Sequence, residues 1–119
     1  MNYGKISWRR DGHNSAKVDW DYTVEVHRGD ITDEHTEAIV NPANERLAHS
    51  GGCAAAIQRE AGGELLAESS NYVNVHGPIP VGQCTYTKAG NLKKNGTNFV
   101  IHTVGPTWSD SDSVLKQQM

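Results

Sequence analysis

The chain is predicted to fold as an α/β layered domain on a mixed sheet, and three observations carry that reading. Segments with strand patterning alternate with segments of helical spacing. Residues 37–41 (EAIVN) are nearly continuously apolar, as in a strand buried on both faces. Residues 98–104 (NFVIHTV) form the strongest strand pattern in the chain, closed by Gly105-Pro106.

Residues 1–20 read as a polar N-terminal extension, with a short edge strand over residues 5–10 and a turn at Asp11-Gly12. Residues 21–119 carry the domain. Residues 22–27 alternate apolar and polar and form a strand that ends at Arg28-Gly29-Asp30. The strand over residues 37–41 is expected to stop at Pro42, which has no N–H to give a ladder. A helix follows Gly51-Gly52: Ala54, Ile57 and Ala61 keep one face, and Gly62-Gly63 breaks it. A second helix covers residues 64–73, with Leu65, Leu66, Ser69, Tyr72 and Val73 on its inner face. Residues 76–80 form a loop. Residues 82–88 alternate again, placing Cys84 and Tyr86 on one face of a strand. Residues 109–112 resemble a helix N-cap region and residues 113–119 the first turns of a helix, which are too few to cover a sheet face. A C-terminally incomplete domain is the resulting expectation.

The chain has 119 residues, of which 36% are apolar, and a net charge of −3. That suits one small globular domain. The eleven basic residues are scattered, with Arg9-Arg10 and Lys93-Lys94 the adjacent pairs. This argues against nucleic acid as a partner, and an anionic ligand would have to be held by backbone amides. The two cysteines make no CxxC pair, and the six histidines lack metal-ligand spacing, so neither metal nor cofactor is expected. No apolar run approaches membrane-span length. A reduced intracellular protein, cytoplasmic or nuclear, fits these features.

The candidate chemistry concentrates between Gly29 and Ile57. Gly51-Gly52 before a helix suits an anion, because the first helical N–H groups lack partners and no Cβ blocks approach. A turn with a flexible cap is the alternative. Asp30, at a Gly-Asp corner, can accept a hydrogen bond from an exocyclic amine or a ribose hydroxyl; capping is its ordinary role. Asn41 and Asn44 follow a buried strand, where an amide can serve a ribose diol or a bound water, with an ordinary turn role as the alternative for each. Cys53 stands where a helix terminus would suit a nucleophile. No histidine lies in its local frame to act as base, so a small buried hydrophobe is expected. His102 reads as a hydrogen-bonded core histidine. Tyr72 and Trp108 can stack on a base, with aromatic packing as the default.

In order and spacing these residues resemble a macrodomain, the ADP-ribose-binding module. The matching segments are Gly29-Asp30-Ile31-Thr32, Ala38-Ile39-Val40-Asn41-Pro42-Ala43-Asn44, Gly51-Gly52-Cys53-Ala54-Ala55-Ala56-Ile57 and Val100-Ile101-His102-Thr103-Val104-Gly105-Pro106, with shorter matches between the last two. The resemblance implies a three-layer α/β/α sandwich with a central mixed sheet. It implies that Asp30 binds the adenine amine and the Ile31 backbone the ring edge. Asn44 would contact the distal ribose, and Gly51, Gly52, Cys53 and Ala54 would line the first phosphate loop. Pro42 and Ser50 replace an alanine and a glycine common in the family. Ala54 stands where strongly hydrolytic members carry aspartate, which points to the viral and ADP-ribosyltransferase-associated type. The implied partner is ADP-ribose or an ADP-ribosylated protein. The leading expectation is a reader of mono-ADP-ribose; a hydrolase using Asn44, or a fragment needing a missing C-terminal part, are the alternatives.

Overall fold

The computed structural model describes residues 16–19 and 23–106, with side chains from residue 23 onward. The strand expected over residues 5–10, the turn at Asp11-Gly12, Trp108 and the helix expected over residues 113–119 lie outside the described residues. The chain divides into two compact units, Met1–Asp30 and Ile31–Met119.

In the first unit, β1 (Ala16–Asp19) pairs antiparallel with β2 (Thr23–Val26), Ala16 opposite Val26 and Asp19 opposite Thr23. Sequence patterning does not anticipate β1. Four residues with one valine carry little strand signal, and the ladder to β2 supplies the order. All four β2 residues are exposed, so their alternation does not mark a buried face.

The second unit contains β3 (Ala38–Ala43), α1 (Gly52–Ala61), α2 (Gly63–His76), β4 (Cys84–Lys88) and β5 (Phe99–Val104), with short 3-10 turns at Ile31–Asp33 and Gly90–Asn95. The sheet order is β3-β5-β4. β3 runs parallel to β5, with Ile39 opposite Val100 and Asn41 opposite His102. β4 runs antiparallel, with Thr87 opposite Val100 and Tyr86 opposite Ile101. The sheet is therefore mixed, as expected. Its centre is the segment richest in β-branched residues, which fit a pleated surface packed on both edges.

Both helices begin on glycine and are followed by a capping glycine. Gly62 closes α1 at φ 84°, its N–H reaching the Gln58 carbonyl at 2.8 Å. Gly77 closes α2 at φ 79°. α2 runs past its expected end at Val73 because no breaker stands before Gly77. Ile57, Ala61 and Leu65 join Ile39, Val100, Ala89 and Leu92 in the main core, with Ile31 packed at its margin. A second cluster joins Leu47, Ile79 and Val104, bordered by Ala43, Tyr72 and Val73.

Three expectations are corrected here. Leu66 is 42% exposed rather than inward, because Leu65 and Ser69 set the buried stripe and the next residue lies about 100° round the helix. β3 runs through Pro42 to Ala43 instead of stopping. In the described sheet β3 is an edge strand, where a missing N–H on the open side costs no ladder bond. β3 is also not buried on both faces. Ile39 and Asn41 are buried, whereas Val40 is 49% exposed. α1 and α2 pack on the face of Ile39 and Val100. On the opposite face Val40, Tyr86 and Phe99 are exposed among the described residues, and Tyr86 and Phe99 meet edge to face at 5.7 Å.

Gly90 shows how closely the turn after β4 docks on α1. Its φ is +56°, and a Cβ there would collide with the Ala61 carbonyl oxygen. Gly90→Ala should destabilise the fold by roughly 2 kcal/mol or more, combining left-handed strain with the clash. A lower urea midpoint with unchanged slope is the expected readout.

Candidate functional site

Parallel strands β3 and β5 end side by side at Ala43 and Val104. The carboxyl ends of parallel strands are where open α/β sheets form ligand crevices. Residues 44–51 leave β3 there and lead into α1. A pocket of about 360 Å³ opens among Asn44, Glu45, Arg46, Ala48, Val104 and Gly105, with Ala43 and Val81 at its wall.

Asn44 is exposed, and its amide organises its own loop. The Oδ1 accepts from Arg46 N at 3.2 Å and Ala48 N at 2.9 Å, and the Nδ2 donates to the Ala48 carbonyl at 2.6 Å. Two backbone donors on one atom identify it as the oxygen. Both acceptor positions are thereby taken and one N–H remains. Asn44 can donate to a ligand hydroxyl or anionic oxygen, but in this geometry it cannot serve as a base. Leu47 anchors the loop in the second core cluster at φ 52°, a left-handed conformation that is uncommon for a branched residue.

Gly51 is extended, and no side chain caps α1. The first helical bond runs from Ala55 N to Gly51 O, so the N–H groups of Gly52, Cys53 and Ala54 have no helical partner. A Cβ on Gly51 or Gly52 would meet nothing within 4 Å. This terminus is open to an anion. Gly52 has φ +59°, which favours glycine. Cys53 is a free, exposed thiol, not the small buried hydrophobe expected, because the first turn of α1 carries it on the outward side. Ala54 is buried with Ile57 and Ala61, so its backbone N–H rather than its methyl group faces the terminus.

One loop and one helix start thus carry Asn44, Gly51, Gly52, Cys53 and Ala54, although of these Asn44 alone lines the pocket. Asp30 is exposed and closes the first unit. Ile31 opens the second and packs half-buried on the main core. Tyr72 packs on the second cluster and against the His76 ring at 4.6 Å.

Beneath the loop lies a buried polar chain, in which His102 is the hydrogen-bonded core histidine expected from the sequence and its partners Asn41, His49, Ser69 and Thr87 were not foreseen. Asn41, expected as a ribose or water ligand, is fully buried instead. Its Nδ2 meets His102 Nδ1 at 2.9 Å and His49 Nδ1 at 3.3 Å. The two imidazoles stack at 5.1 Å. His49 Nε2 reaches Ser69 Oγ at 3.0 Å. His102 Nε2 reaches Thr87 Oγ1 at 3.0 Å, and that hydroxyl donates to the Lys88 carbonyl at 3.1 Å. One assignment satisfies these contacts. Asn41 donates one N–H to each Nδ1, and both rings are neutral Nε2–H tautomers. Asn41 Oδ1 is then left without a partner. Turning the amide over would instead strand an NH₂ group with two donors, which is worse. Burial, and secondarily the adjacent His49, lowers His102 to about 4; burial alone lowers His49. The Asn41–His102 pairing gave one sequence signal, two polar residues in strands otherwise apolar. Their register was invisible without the sheet.

Among the described residues no group of three or more His, Cys, Asp or Glu is arranged to hold a metal ion, and no helix is long and apolar enough to cross a membrane.

A mixed α/β domain with an uncapped helix start at the carboxyl ends of parallel strands belongs to the class of open-sheet crevice proteins. Comparison with known proteins narrows the class. The family model described as "Macro domain" matches residues 40–119, and the chain belongs to the macro domain family. An uncharacterized protein of Pyrobaculum aerophilum is 49% identical over 83 residues, covering 70% of this chain and 44% of that one. O-acetyl-ADP-ribose deacetylase 1 of Pantoea vagans is 45% identical over 98 residues, covering 79% and 56%. The chain therefore spans about half the length of these two relatives. Among solved structures, the Oceanobacillus iheyensis macrodomain with ADP superposes with TM-score 0.75 at 37% identity, covering 87% of this chain and 55% of that one. The Trypanosoma brucei macrodomain in complex with ADP-ribose superposes with TM-score 0.58 at 40% identity, covering 66% and 31%.

His102 is neutral in the fold but takes a proton near pH 6.5 when exposed. Its folded value is lowered, so its contribution is fully present above about pH 6.5 and is lost as pH falls to about 4. The loss should approach about 3 kcal/mol. Thermal melts across that range should show it. Nitrogen-15 NMR should report both rings as neutral Nε2–H tautomers at neutral pH.

Proposed function

We propose that this chain binds ADP-ribose, free or attached to a protein. The observation that carries the reading is the open start of α1, with three N–H groups lacking helical partners and no side-chain cap. A pyrophosphate suits that site by charge and by hydrogen-bond geometry. Gly51, Gly52, Cys53 and Ala54 would hold the first phosphate through backbone groups. Asn44 would give its remaining N–H to a distal ribose hydroxyl. Asp30 would accept from the adenine amine, and the Ile31 backbone would meet the ring edge. The ADP and ADP-ribose complexes of the Oceanobacillus and Trypanosoma macrodomains support the choice of ligand. An intracellular ADP-ribosylated protein is the proposed partner, in cytoplasm or nucleus.

Isothermal titration with ADP-ribose tests this directly, and a folded chain that gives no heat would overturn it. Asp30→Ala should weaken binding at least about tenfold, because the adenine amine loses its acceptor. Unchanged affinity would remove Asp30 from the site.

Removal of mono-ADP-ribose, or of a group esterified to ADP-ribose, is a second reading. Asn44 and the name of the Pantoea relative favour it. Ala54 offers no carboxylate to orient a water, which is the basis for proposing the alanine-bearing, viral and transferase-associated type. With Asn44 limited to donation, any catalysis would come from positioning and electrostatic stabilisation. Release of label from an ADP-ribosylated protein should fall at least about tenfold in Asn44→Ala; undiminished release would exclude the role assigned to Asn44.

A further inference from the structure

We propose that the buried chain Thr87–His102–Asn41–His49–Ser69 positions residues 44–51 for ligand, and that it does so while both imidazoles are neutral. The ligand named in its test rests on the ADP-ribose reading; the loop geometry does not.

The loop is pinned to the fold at two side chains. Leu47 enters the apolar cluster of Ile79 and Val104. His49 enters the polar chain. Between them stands Ala48, whose N–H and carbonyl both bond the Asn44 amide. The Ala48 carbonyl also accepts from Ser50 N at 3.0 Å, and Gly51 comes next. A shift of His49 therefore passes through Ala48 to Asn44 on one side and through Ser50 to Gly51 on the other. Every protein group argued to meet the ribose and first phosphate lies within a few residues of that ring.

His49 is held from β3 by Asn41 and from α2 by Ser69. Asn41 is held from β5 by His102, which β4 fixes through Thr87. The arrangement depends on both Nδ1 atoms accepting. A proton on either puts an N–H against the Asn41 NH₂, and the contact becomes repulsive. The unpartnered Oδ1 of Asn41 is then the better atom to present, so the amide has a reason to turn over. Burial keeps both rings neutral near pH 7. Around the rings, Asn41, Ser69 and Thr87 are uncharged. Glu68, beside Ser69 on α2, directs its carboxylate to Lys88 N at 3.0 Å. Lys88 on β4 and Glu45 and Arg46 of the loop are exposed.

The test measures ADP-ribose affinity from about pH 7.5 to pH 4 together with hydrogen-exchange protection of residues 44–51, in the wild type, Ser69→Ala and Asn41→Asp. Wild-type affinity should hold near neutrality and fall at least about twofold by pH 4, as the loop amides lose protection before those of β5. Ser69→Ala should bind about three- to tenfold more weakly at pH 7.5, with reduced protection confined to the loop. Asn41→Asp, whose carboxylate accepts from protonated rings, should lose less affinity and less loop protection on acidification than the wild type. Ligand titration is common to all three proteins, so their difference isolates the rings. Wild-type affinity and loop protection that stay flat to pH 4, or Ser69→Ala indistinguishable from wild type, would overturn the proposal. If ADP-ribose binds no variant, the binding reading fails and loop protection alone decides. Acid-sensitive protection restored by Asn41→Asp upholds positioning, and acid-insensitive protection overturns it.

Discussion

The second unit depends on the pairing of β5 with a strand on each side. β5 holds β3 in parallel and β4 in antiparallel register. Its inward residues alternate between two kinds of environment. Val100 and Val104 enter the two apolar clusters, and His102 between them enters the polar chain. The strand that orders the sheet therefore also fixes Asn41, and through Asn41 the loop that starts at Asn44. Apolar burial supplies the drive to fold. The polar chain supplies a unique register, because a slip of one residue would leave buried amide and imidazole groups without partners.

The site inherits its form from that register. Parallel β3 and β5 end together, the chain must leave β3 by a loop, and the loop must deliver α1 back onto the sheet. The two helices pack on the face of Ile39 and Val100, so α1 starts near the strand ends with its terminus uncapped. The donors there are backbone groups, as a chain of net charge −3 would need for an anionic ligand. Asn44 contributes one further N–H after meeting the needs of its own loop.

Local patterning reported much of this fold. α1 runs from the glycine pair to Gly62 with Ala54, Ile57 and Ala61 inward, as spacing alone requires. The central strand is the one with the strongest pattern, and the residues resembling the macro domain family fall in a chain that the family model matches. Patterning and structure differ where a residue's surroundings matter more than its type. Apolar neighbours predict a buried Val40, yet the described helices cover the other face. Pro42 predicts a strand end, yet β3 stands at an edge of the described sheet and runs through it. Residue type predicts a buried Cys53, yet helix phase turns it outward.

The sequence by itself determined the α/β class, the limits of α1 and the family, since these follow from spacing of apolar residues, glycine positions and ordered motifs along the chain. The tertiary structure alone decided which face of the sheet is covered, that β1 exists, and that Asn41 belongs to the core rather than to a ligand. It also decided that His49 and His102, far apart in sequence, share one amide. These outcomes depend on strand register and helix placement, which are contacts between distant residues, and a linear pattern carries no record of which distant residues meet.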